Sequence, residues 1–358
     1  MRQLRVLVVD DSAYNRRTIA DLLSSMPGVE VVSKASDGDE ALRLVSELSP
    51  DLITLDLEMP RMDGFTFLRL LMARQPTPVI VISGYAAKEN VFRALELGAI
   101  DFVAKPSRTL SANLNKIHKE LAHKVDLIQH LSPAALDPLR RGLSRPGDTA
   151  RFHIERPEAP SRDAEVAKPL RDVVVVGAST GGPTALLELF GRLPSVSSAS
   201  IVVAQHMPER FTRTFAERLD KVGAFAVAEA EDRHVLQSSQ AWICPGGRCV
   251  EIAKRGQDLV VQVCAPEPSD RYVPSVDRLF VSAAQACGNQ VTAVVLTGMG
   301  DDGAAGVRVV KDGGGTVLVE SPETAVIFGM PGAAMRTGVV DRALPLPTLA
   351  DHLGQRVK

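Results

Sequence analysis

The sequence predicts an α/β protein of two domains, and three observations lead to this prediction. At 358 residues the chain is longer than one hydrophobic core usually organises. Apolar runs of strand length alternate with segments of helical period towards both ends of the chain. Between them the periodicity is lost, and prolines stand among charged and small residues. We therefore expect domains at residues 1–130 and 171–358, joined by a flexible linker at residues 131–170.

Composition excludes several classes of function. The formal net charge of -2 gives the chain no overall attraction to nucleic acids or anionic membranes. No apolar run approaches the roughly 20 residues of a membrane span. We expect a cytoplasmic protein that binds no nucleic acid and does not insert into membranes. The cysteines form no Cys-x-x-Cys pair, and we expect reduced thiols rather than zinc ligands at all four positions: Cys244, Cys249, Cys264 and Cys287.

In the first domain, acidic residues stand where the first and third predicted strands end. Asp10 and Asp11 follow a buried-type strand at residues 6–9, and Asp56 follows another at residues 52–55. Ligands of open parallel sheets bind beyond the carboxyl ends of the strands, so the three carboxylates should meet at one edge. Oxygen ligands of this kind suit Mg²⁺.

Two further strands, VIVIS and FVAKP, bring a hydroxyl and a cation to the same edge. They end in Ser83 and Lys105. Asp56 can attack a phosphoryl donor as a carboxylate nucleophile, while Mg²⁺ and Lys105 neutralise the charge of the transferred oxygens. Taken singly, Asp11 is equally well explained as part of a helix cap, Asp56 as a loop start and Lys105 as a surface lysine.

The first domain ends in a long segment of helical period. Its apolar residues recur at intervals of three and four and share one stripe: Leu114, Ile117, Leu121, Val125 and Ile128. The stripe is expected to seal either the core of the domain or an interface.

Taken jointly, these strand-end residues and the segment EMPRMDG resemble the response-regulator receiver family over about the first 120 residues. The resemblance implies a five-stranded, parallel, flavodoxin-like sheet that is phosphorylated on Asp56. It further implies that Mg²⁺ is bound by Asp10, Asp11, Asp56 and the backbone carbonyl of Glu58, and that Ser83 and Lys105 sense the phosphoryl group. Phe102 stands where receivers carry an aromatic side chain that changes rotamer, although plain core packing explains it too.

The second domain opens with VVVVGASTGG, in which Gly177 to Gly181 satisfy G-x-S-x-G around Ser179. A strand, a tight turn and a helix in this order are typical of a nucleophile elbow, with free backbone N–H groups at the helix start. A dinucleotide loop is disfavoured. Ser179 replaces the second glycine of that fingerprint, and the next strand, IVVAQH, ends in histidine rather than an acid.

His206 is the best candidate for the base, because it follows a strand and should emerge at the same sheet edge as Ser179. The other six histidines lie in helical, linker or less regular contexts. An orienting carboxylate is available at the end of a further strand, in AVVLTGMGDDG, as Asp301 or Asp302. The order Ser, His, Asp differs from that of α/β-hydrolases, so the elbow does not imply that fold.

The second domain resembles the catalytic domain of the chemotaxis protein-glutamate methylesterases, through GASTGG, QHMPERFT, PSVDRLF, LTGMGDDGA and FGMPGAA. The resemblance implies a doubly wound α/β domain with a mainly parallel sheet and no cofactor. It assigns Ser179 as the nucleophile, His206 as the general base and then acid, and Asp302 as the orienting acid, since the family places this acid immediately before glycine. Backbone N–H groups near Thr180 and Met299 are the implied oxyanion donors.

The implied reaction is hydrolysis of glutamate γ-methyl esters on chemoreceptors to glutamate and methanol. Some relatives also deamidate receptor glutamine, which the sequence leaves open, as it does the identity of the receptors and of the chemotaxis histidine kinase that donates the phosphoryl group. The family further implies that the unphosphorylated receiver covers the esterase cleft and that phosphorylation of Asp56 weakens this contact. One departure is Tyr272, where relatives often carry histidine.

The sequence leaves one other class of function open and disfavours a second. The alternative is a phosphorylation-dependent binding module with weak esterase activity on another substrate, which measured turnover would exclude. A transcriptional regulator would need a helix-turn-helix after the linker, where a strand and G-x-S-x-G stand instead.

Overall fold

A computed structural model of the chain describes residues 3–84, 88–105, 120–126, 128, 169–194 and 197–357. The chain divides into two compact units, residues 1–152 and 153–358. Of the predicted linker, residues 131–168 lie outside the described residues, as do Leu114 and Ile117 of the apolar stripe. None of the described helices is long and apolar enough to cross a bilayer.

The first unit is built on a five-stranded sheet in which every pair of neighbouring strands is parallel. Its elements are β1 (Leu4–Val9), α1 (Ala13–Ser24), β2 (Val29–Ala35), α2 (Gly38–Leu48), β3 (Leu52–Leu55), α3 (Gly64–Arg74), β4 (Val79–Ser83), α4 (Lys88–Glu96) and β5 (Asp101–Ala104). The strand order is β2-β1-β3-β4-β5, so the direction of winding reverses between β1 and β3. The predicted five-stranded parallel fold is confirmed.

Local sequence explains why these elements form. The helices α1, α2 and α3 each begin after a side chain that accepts a hydrogen bond from the third helical N–H: Ser12, Asp37 and Asp63. All residues of β3, β4 and β5 are buried, as expected for parallel strands covered on both faces. Residues 120–126 are helical, and Leu121, Val125 and Ile128 lie in the core of this unit. This part of the stripe therefore seals the core.

The second unit contains a seven-stranded sheet with the order β14-β13-β12-β6-β7-β9-β8, again parallel throughout. Its strands are β6 (Asp172–Ala178), β7 (Ala199–Gln205), β8 (Ala226–Glu229), β9 (Gln240–Ile243), β12 (Val291–Val295), β13 (Thr316–Glu320) and β14 (Arg342–Leu344). A separate antiparallel hairpin, β10 (Cys249–Arg255) with β11 (Asp258–Cys264), was not predicted.

Helices cover both faces of this sheet. They are α5 (Gly182–Arg192), α6 (Thr212–Val222), α7 (Val276–Cys287), α8 (Ala304–Asp312), α9 (Met330–Arg336) and α10 (Leu346–Arg356). Residues Val173 and Val175 of β6 share a core with α7, α8 and the hairpin, while α5 packs against α6 and α10 on the opposite face. The predicted doubly wound architecture is confirmed. Winding reverses between β6 and β12, and in such sheets ligands bind beyond the strand ends at this point.

Candidate active site and phosphoryl site

Ser179 lies half-buried in a turn between the end of β6 and the start of α5. Gly181 caps α5 with φ +79°, in the left-handed region that favours glycine. Gly177 is needed for space instead, because a Cβ at this position would run into the side chain of Val276 in α7. The carbonyl oxygen of Ser179 accepts from the N–H of Gly182 at 2.8 Å. The strand, turn and helix of a nucleophile elbow are therefore all present.

A second loop, after β12, lies against this turn. The N–H of Ser179 donates to the carbonyl oxygen of Thr297 at 3.0 Å, and a Cβ on Gly298 would come within 2.8 Å of the Ser179 Cβ. Within the described residues, neither the N–H of Thr180 nor that of Met299 donates a hydrogen bond. These two N–H groups thus remain available to the oxyanion that the sequence analysis assigns to them.

His206 follows β7, the neighbour of β6, and its Nε2 lies 2.8 Å from Oδ2 of Asp302. The carboxylate of Asp302 is buried and also accepts from the first two N–H groups of α7, those of Val276 and Asp277, both at 2.9 Å. A helix N-terminus stabilises negative charge, so α7 compensates the charge of Asp302 and fixes its position. The side chain of His206 is 16% exposed and can be reached from outside.

This contact decides which nitrogen of His206 is free. Asp302 accepts hydrogen bonds, so a neutral His206 donates its Nε2–H to this carboxylate and keeps the lone pair of Nδ1. Nδ1 is then the atom that can take the proton of Ser179. Within the described residues no hydrogen bond joins the Ser179 hydroxyl to His206, and nucleophile–base contacts are often longer before substrate binds.

Gln205 connects the Ser179 turn to the loop of His206 and was not among the predicted site residues. Its side-chain amide Nε2 donates to the carbonyl oxygen of Ser179 at 2.9 Å and to that of His206 at 3.0 Å. Gln205 is almost fully buried at the end of β7. One side chain therefore sets the spacing between the loops that carry Ser179 and His206.

Tyr272 covers the outer side of the histidine. Its ring is stacked on that of His206, with centroids 5.3 Å apart and planes 9° from parallel. The phenol donates to Oδ1 of Asp301 at 2.9 Å, and Arg271 donates to both oxygens of Asp301 at 3.1 Å. The two adjacent acids thus differ in place: Asp302 contacts His206, whereas Asp301 is half-exposed and holds Tyr272 and Arg271.

At the edge of the first sheet, carboxylate oxygens of Asp10, Asp11 and Asp56 lie within 4.8 Å of one another. Lys105 forms an ion pair with Asp56 and a second one with Asp10 at 3.2 Å. Burial raises the pKa values of both Asp10 and Asp56, against the lowering effect of Lys105. Burial alone would lower the pKa of Lys105, but the hydrogen bond and charge of Asp56, with the charge of Asp10, raise it.

The remaining predicted residues lie around this cluster. Ser83 ends β4 buried, and its carbonyl oxygen accepts from the N–H of Lys105 at 2.7 Å. Phe102 is buried in the core, which matches the packing interpretation of this residue. The N–H of Glu58 donates to Oδ1 of Asp56 at 3.3 Å, while the role of the Glu58 carbonyl stays a prediction.

The donor set fits a hard divalent cation. Three carboxylates converge, two of them buried, and among the described residues Lys105 is the cation that pairs with them. Asp10, Asp11 and Asp56 would hold Mg²⁺, which supplies positive charge to a phosphoryl group when it is bound.

Comparisons with known proteins agree with the two-domain organisation. The family model described as CheB methylesterase matches residues 174–353, and the one described as response regulator receiver domain matches residues 6–116. Protein-glutamate methylesterase/protein-glutamine glutaminase 1 of Myxococcus xanthus is 48% identical over 350 residues, which cover 98% of this chain and 96% of that protein. Protein-glutamate methylesterase/protein-glutamine glutaminase 3 of Geobacter sulfurreducens is 45% identical over 363 residues, covering 99% and 98%.

The second unit is also similar to a solved structure. The crystal structure of the Thermotoga maritima CheB methylesterase catalytic domain superposes with a TM-score of 0.51 at 36% identity, covering 52% of this chain and 98% of that one. The resemblance inferred from the motifs is confirmed by full-length relatives and by matches to both units. The chain therefore belongs to the CheB methylesterase family, with a response regulator receiver domain preceding the methylesterase domain.

Proposed function

We propose that this chain hydrolyses γ-methyl esters of glutamate on chemoreceptors, under control of phosphorylation at Asp56. The proposal rests on the contact between His206 and Asp302. Asp302 is bound by the N-terminus of α7, close to the Ser179 turn. Ser179, His206 and Asp302 thus lie near the switch point of the sheet, and these residue types can act together as nucleophile, base and orienting acid. The relatives named above are methylesterases, which identifies the ester.

The reaction proceeds in two halves. The Ser179 hydroxyl attacks the ester carbonyl carbon and passes its proton to Nδ1 of His206, while the N–H groups of Thr180 and Met299 stabilise the oxyanion. The bond to the methoxy group breaks, and His206 returns the proton to release methanol. Water then attacks the acyl-enzyme with His206 as base, which frees the glutamate carboxylate and restores Ser179. Asp302 stabilises the imidazolium formed in each half.

The same chemistry accepts a primary amide. Attack on the side chain of glutamine gives the identical acyl-enzyme, with ammonia leaving in place of methanol. The relatives carry glutaminase in their names, and we include receptor glutamine as a second substrate.

Control is assigned to residues 1–130, joined through residues 131–170 to the enzyme at residues 171–358. Asp56 accepts the phosphoryl group of a chemotaxis histidine kinase, and Lys105 and Ser83 then contact the new oxygens. Asp10, Asp11, Asp56 and the Glu58 carbonyl form the Mg²⁺ site. Phosphorylation of Asp56 then activates the esterase. A cytoplasmic location is part of the same proposal, because the proposed kinase and the receptor segments that carry methyl esters are expected there.

Methanol release from methylated chemoreceptor membranes tests the enzyme directly. Wild type should release methanol, and Ser179→Ala should lose about 10⁴-fold or more in kcat while remaining folded and phosphorylatable. Equal release by both proteins would exclude Ser179 as the nucleophile. No release by folded wild type would favour the binding-module alternative.

A further inference from the structure

Glu320 is a buried carboxyl group that the proposed reaction does not use. It is the last residue of β13, and only 1% of it is exposed. Its Oε2 accepts a hydrogen bond from the backbone N–H of Thr297 at 2.8 Å, and the side chain of Thr324 forms a second bond to it. β13 pairs with β12, so Glu320 lies beside the loop that leaves β12 for the active site.

Thr297 connects the acid to the nucleophile turn. Its carbonyl oxygen accepts from the N–H of Ser179 at 3.0 Å, and its hydroxyl donates to the carbonyl oxygen of Thr180 at 2.9 Å. The same hydroxyl accepts from the N–H of Ile327 at 2.9 Å. Met299, an assigned oxyanion donor, follows Thr297 by two residues. The carbonyl and hydroxyl groups of Thr297 therefore bind the loops of the site. Its N–H group donates to Glu320.

We infer that Glu320 is a positioning residue: its carboxyl fixes Thr297, and through Thr297 the N–H groups of Thr180 and Met299 that receive the oxyanion. This inference rests on the proposed function. Among the described residues, no hydrogen bond joins Glu320 to Ser179, so it acts through the loop.

Burial distinguishes Glu320 from an ordinary capping acid. The pKa of Glu320 is raised to about 7 as the net result of burial, which raises it most, the bonds from Thr297 and Thr324, which lower it, and the charge of Glu188, which raises it. Among the described residues, Glu188 of α5 is the charged side chain that acts on Glu320, and it is paired with Arg192 at 3.3 Å. Glu320 thus changes charge within the working range of a cytoplasmic enzyme.

Both forms of the carboxyl accept from Thr297, but they differ in charge. An ionised Glu320 places a buried negative charge behind the loop whose N–H groups must stabilise an oxyanion, which opposes the reaction. The neutral acid holds the loop without this charge, as glutamine would. The rate should therefore fall as Glu320 ionises, and Glu320→Gln should remove this fall.

The test compares full-length Glu320→Met, Glu320→Gln and the control Asp341→Leu. Asp341 also accepts a backbone N–H of β13, that of Val317 at 2.8 Å, but at the end of the strand remote from the site. Methanol release from methylated receptor membranes gives kcat and KM. We expect Glu320→Met to lower kcat about tenfold or more with KM changed less than about threefold, Glu320→Gln to recover kcat within about threefold, and Asp341→Leu to change neither beyond about threefold.

The second readout is the ratio of wild-type kcat to Glu320→Gln kcat at matched pH, which cancels every titrating group common to both proteins. The ratio should fall as pH rises through about 7. A constant ratio, or Glu320→Met indistinguishable from Asp341→Leu, would overturn the inference. If Glu320→Met does not fold, the ratio alone decides. Wild type with no Ser179-dependent release would overturn the proposed function, and this inference with it.

Discussion

The edge of the first sheet gathers the charged side chains of Asp10, Asp11, Asp56 and Lys105, whereas the predicted site at the edge of the second combines the hydroxyl of Ser179, the imidazole of His206 and the carboxylate of Asp302. Both edges lie where the winding of a parallel sheet reverses. In the second, the charge of Asp302 is met by two backbone N–H groups and His206. In the first, Lys105 pairs with two of the three carboxylates that the described residues bring together, and the remaining negative charge suits a divalent cation.

The two edges differ in how the negative charge of their carboxylates is compensated. The N–H groups that bind Asp302 are part of the backbone of α7. The geometry around His206 should therefore be independent of salt and metal concentration. The carboxylate cluster should respond to Mg²⁺, pH and phosphorylation, which is the behaviour expected of a regulatory site.

The largest expected effect is a loss of kcat when Asp302 of the second edge is replaced. Asp302→Asn should lower kcat about 10³- to 10⁴-fold, because the amide no longer holds the Nε2–H tautomer of His206 and opposes two N–H donors. Asp301→Asn is the matched control, since it loses only the contacts to Tyr272 and Arg271. Methanol release measures both. Similar losses in the two variants would contradict the assignment of the acid.

Glu320 should make the stability of the second unit depend on pH. Its pKa is raised from 4.5 to about 7, so its contribution to stability is complete below about pH 4.5 and is lost as pH rises through about 7. Relative to wild type, Glu320→Gln should therefore gain about 3 kcal/mol of unfolding free energy between about pH 4.5 and pH 9. Urea unfolding of both proteins at several pH values measures the difference. A difference independent of pH would mean that Glu320 does not change charge in the fold.

A smaller effect is expected at the first edge. Lys105→Met leaves Asp10 and Asp56 buried without their cation and should cost about 2 kcal/mol near neutral pH, and less in acid as the carboxyls protonate. Added Mg²⁺ should recover part of this loss. Lys311→Met, which removes a more exposed pair with Asp341, should cost under about 1 kcal/mol. Urea unfolding with and without Mg²⁺ provides the measurement; equal costs that ignore Mg²⁺ would contradict the charge argument.

The smallest effect concerns the stack on His206. Tyr272→Leu should lower kcat about two- to tenfold, the range of about 0.5–1.5 kcal/mol for such ring pairs, because the imidazole loses a fixed support. Tyr272→Phe keeps the stack and loses only the bond to Asp301, so its kcat should stay within about twofold of wild type. A larger loss of kcat in Tyr272→Phe than in Tyr272→Leu would show that the phenol hydroxyl, rather than the ring stack, supports His206.

The positions of residues at strand ends explain how much of the fold and of the candidate site could be predicted from the sequence. Every predicted site residue of the second domain follows a strand, and parallel strands bring such residues to one edge whatever their distance in the chain. Glu320 obeys the same pattern, as a lone acid ending the apolar run TVLVE, and could have been found by it. The nitrogen that His206 offers could not, because it depends on which side of the ring Asp302 approaches. Likewise, the stack of Tyr272 depends on loop packing that no periodicity records.

The central claim is that Asp56 in one domain controls Ser179 in the other. Methanol release from methylated receptor membranes by wild type and Asp56→Asn, each with and without a small-molecule phosphodonor and Mg²⁺, tests it most directly. Wild type should be stimulated, whereas Asp56→Asn should keep its basal rate and show no stimulation. Equal stimulation of both proteins, or none of wild type when it is shown to be phosphorylated, would contradict the claim.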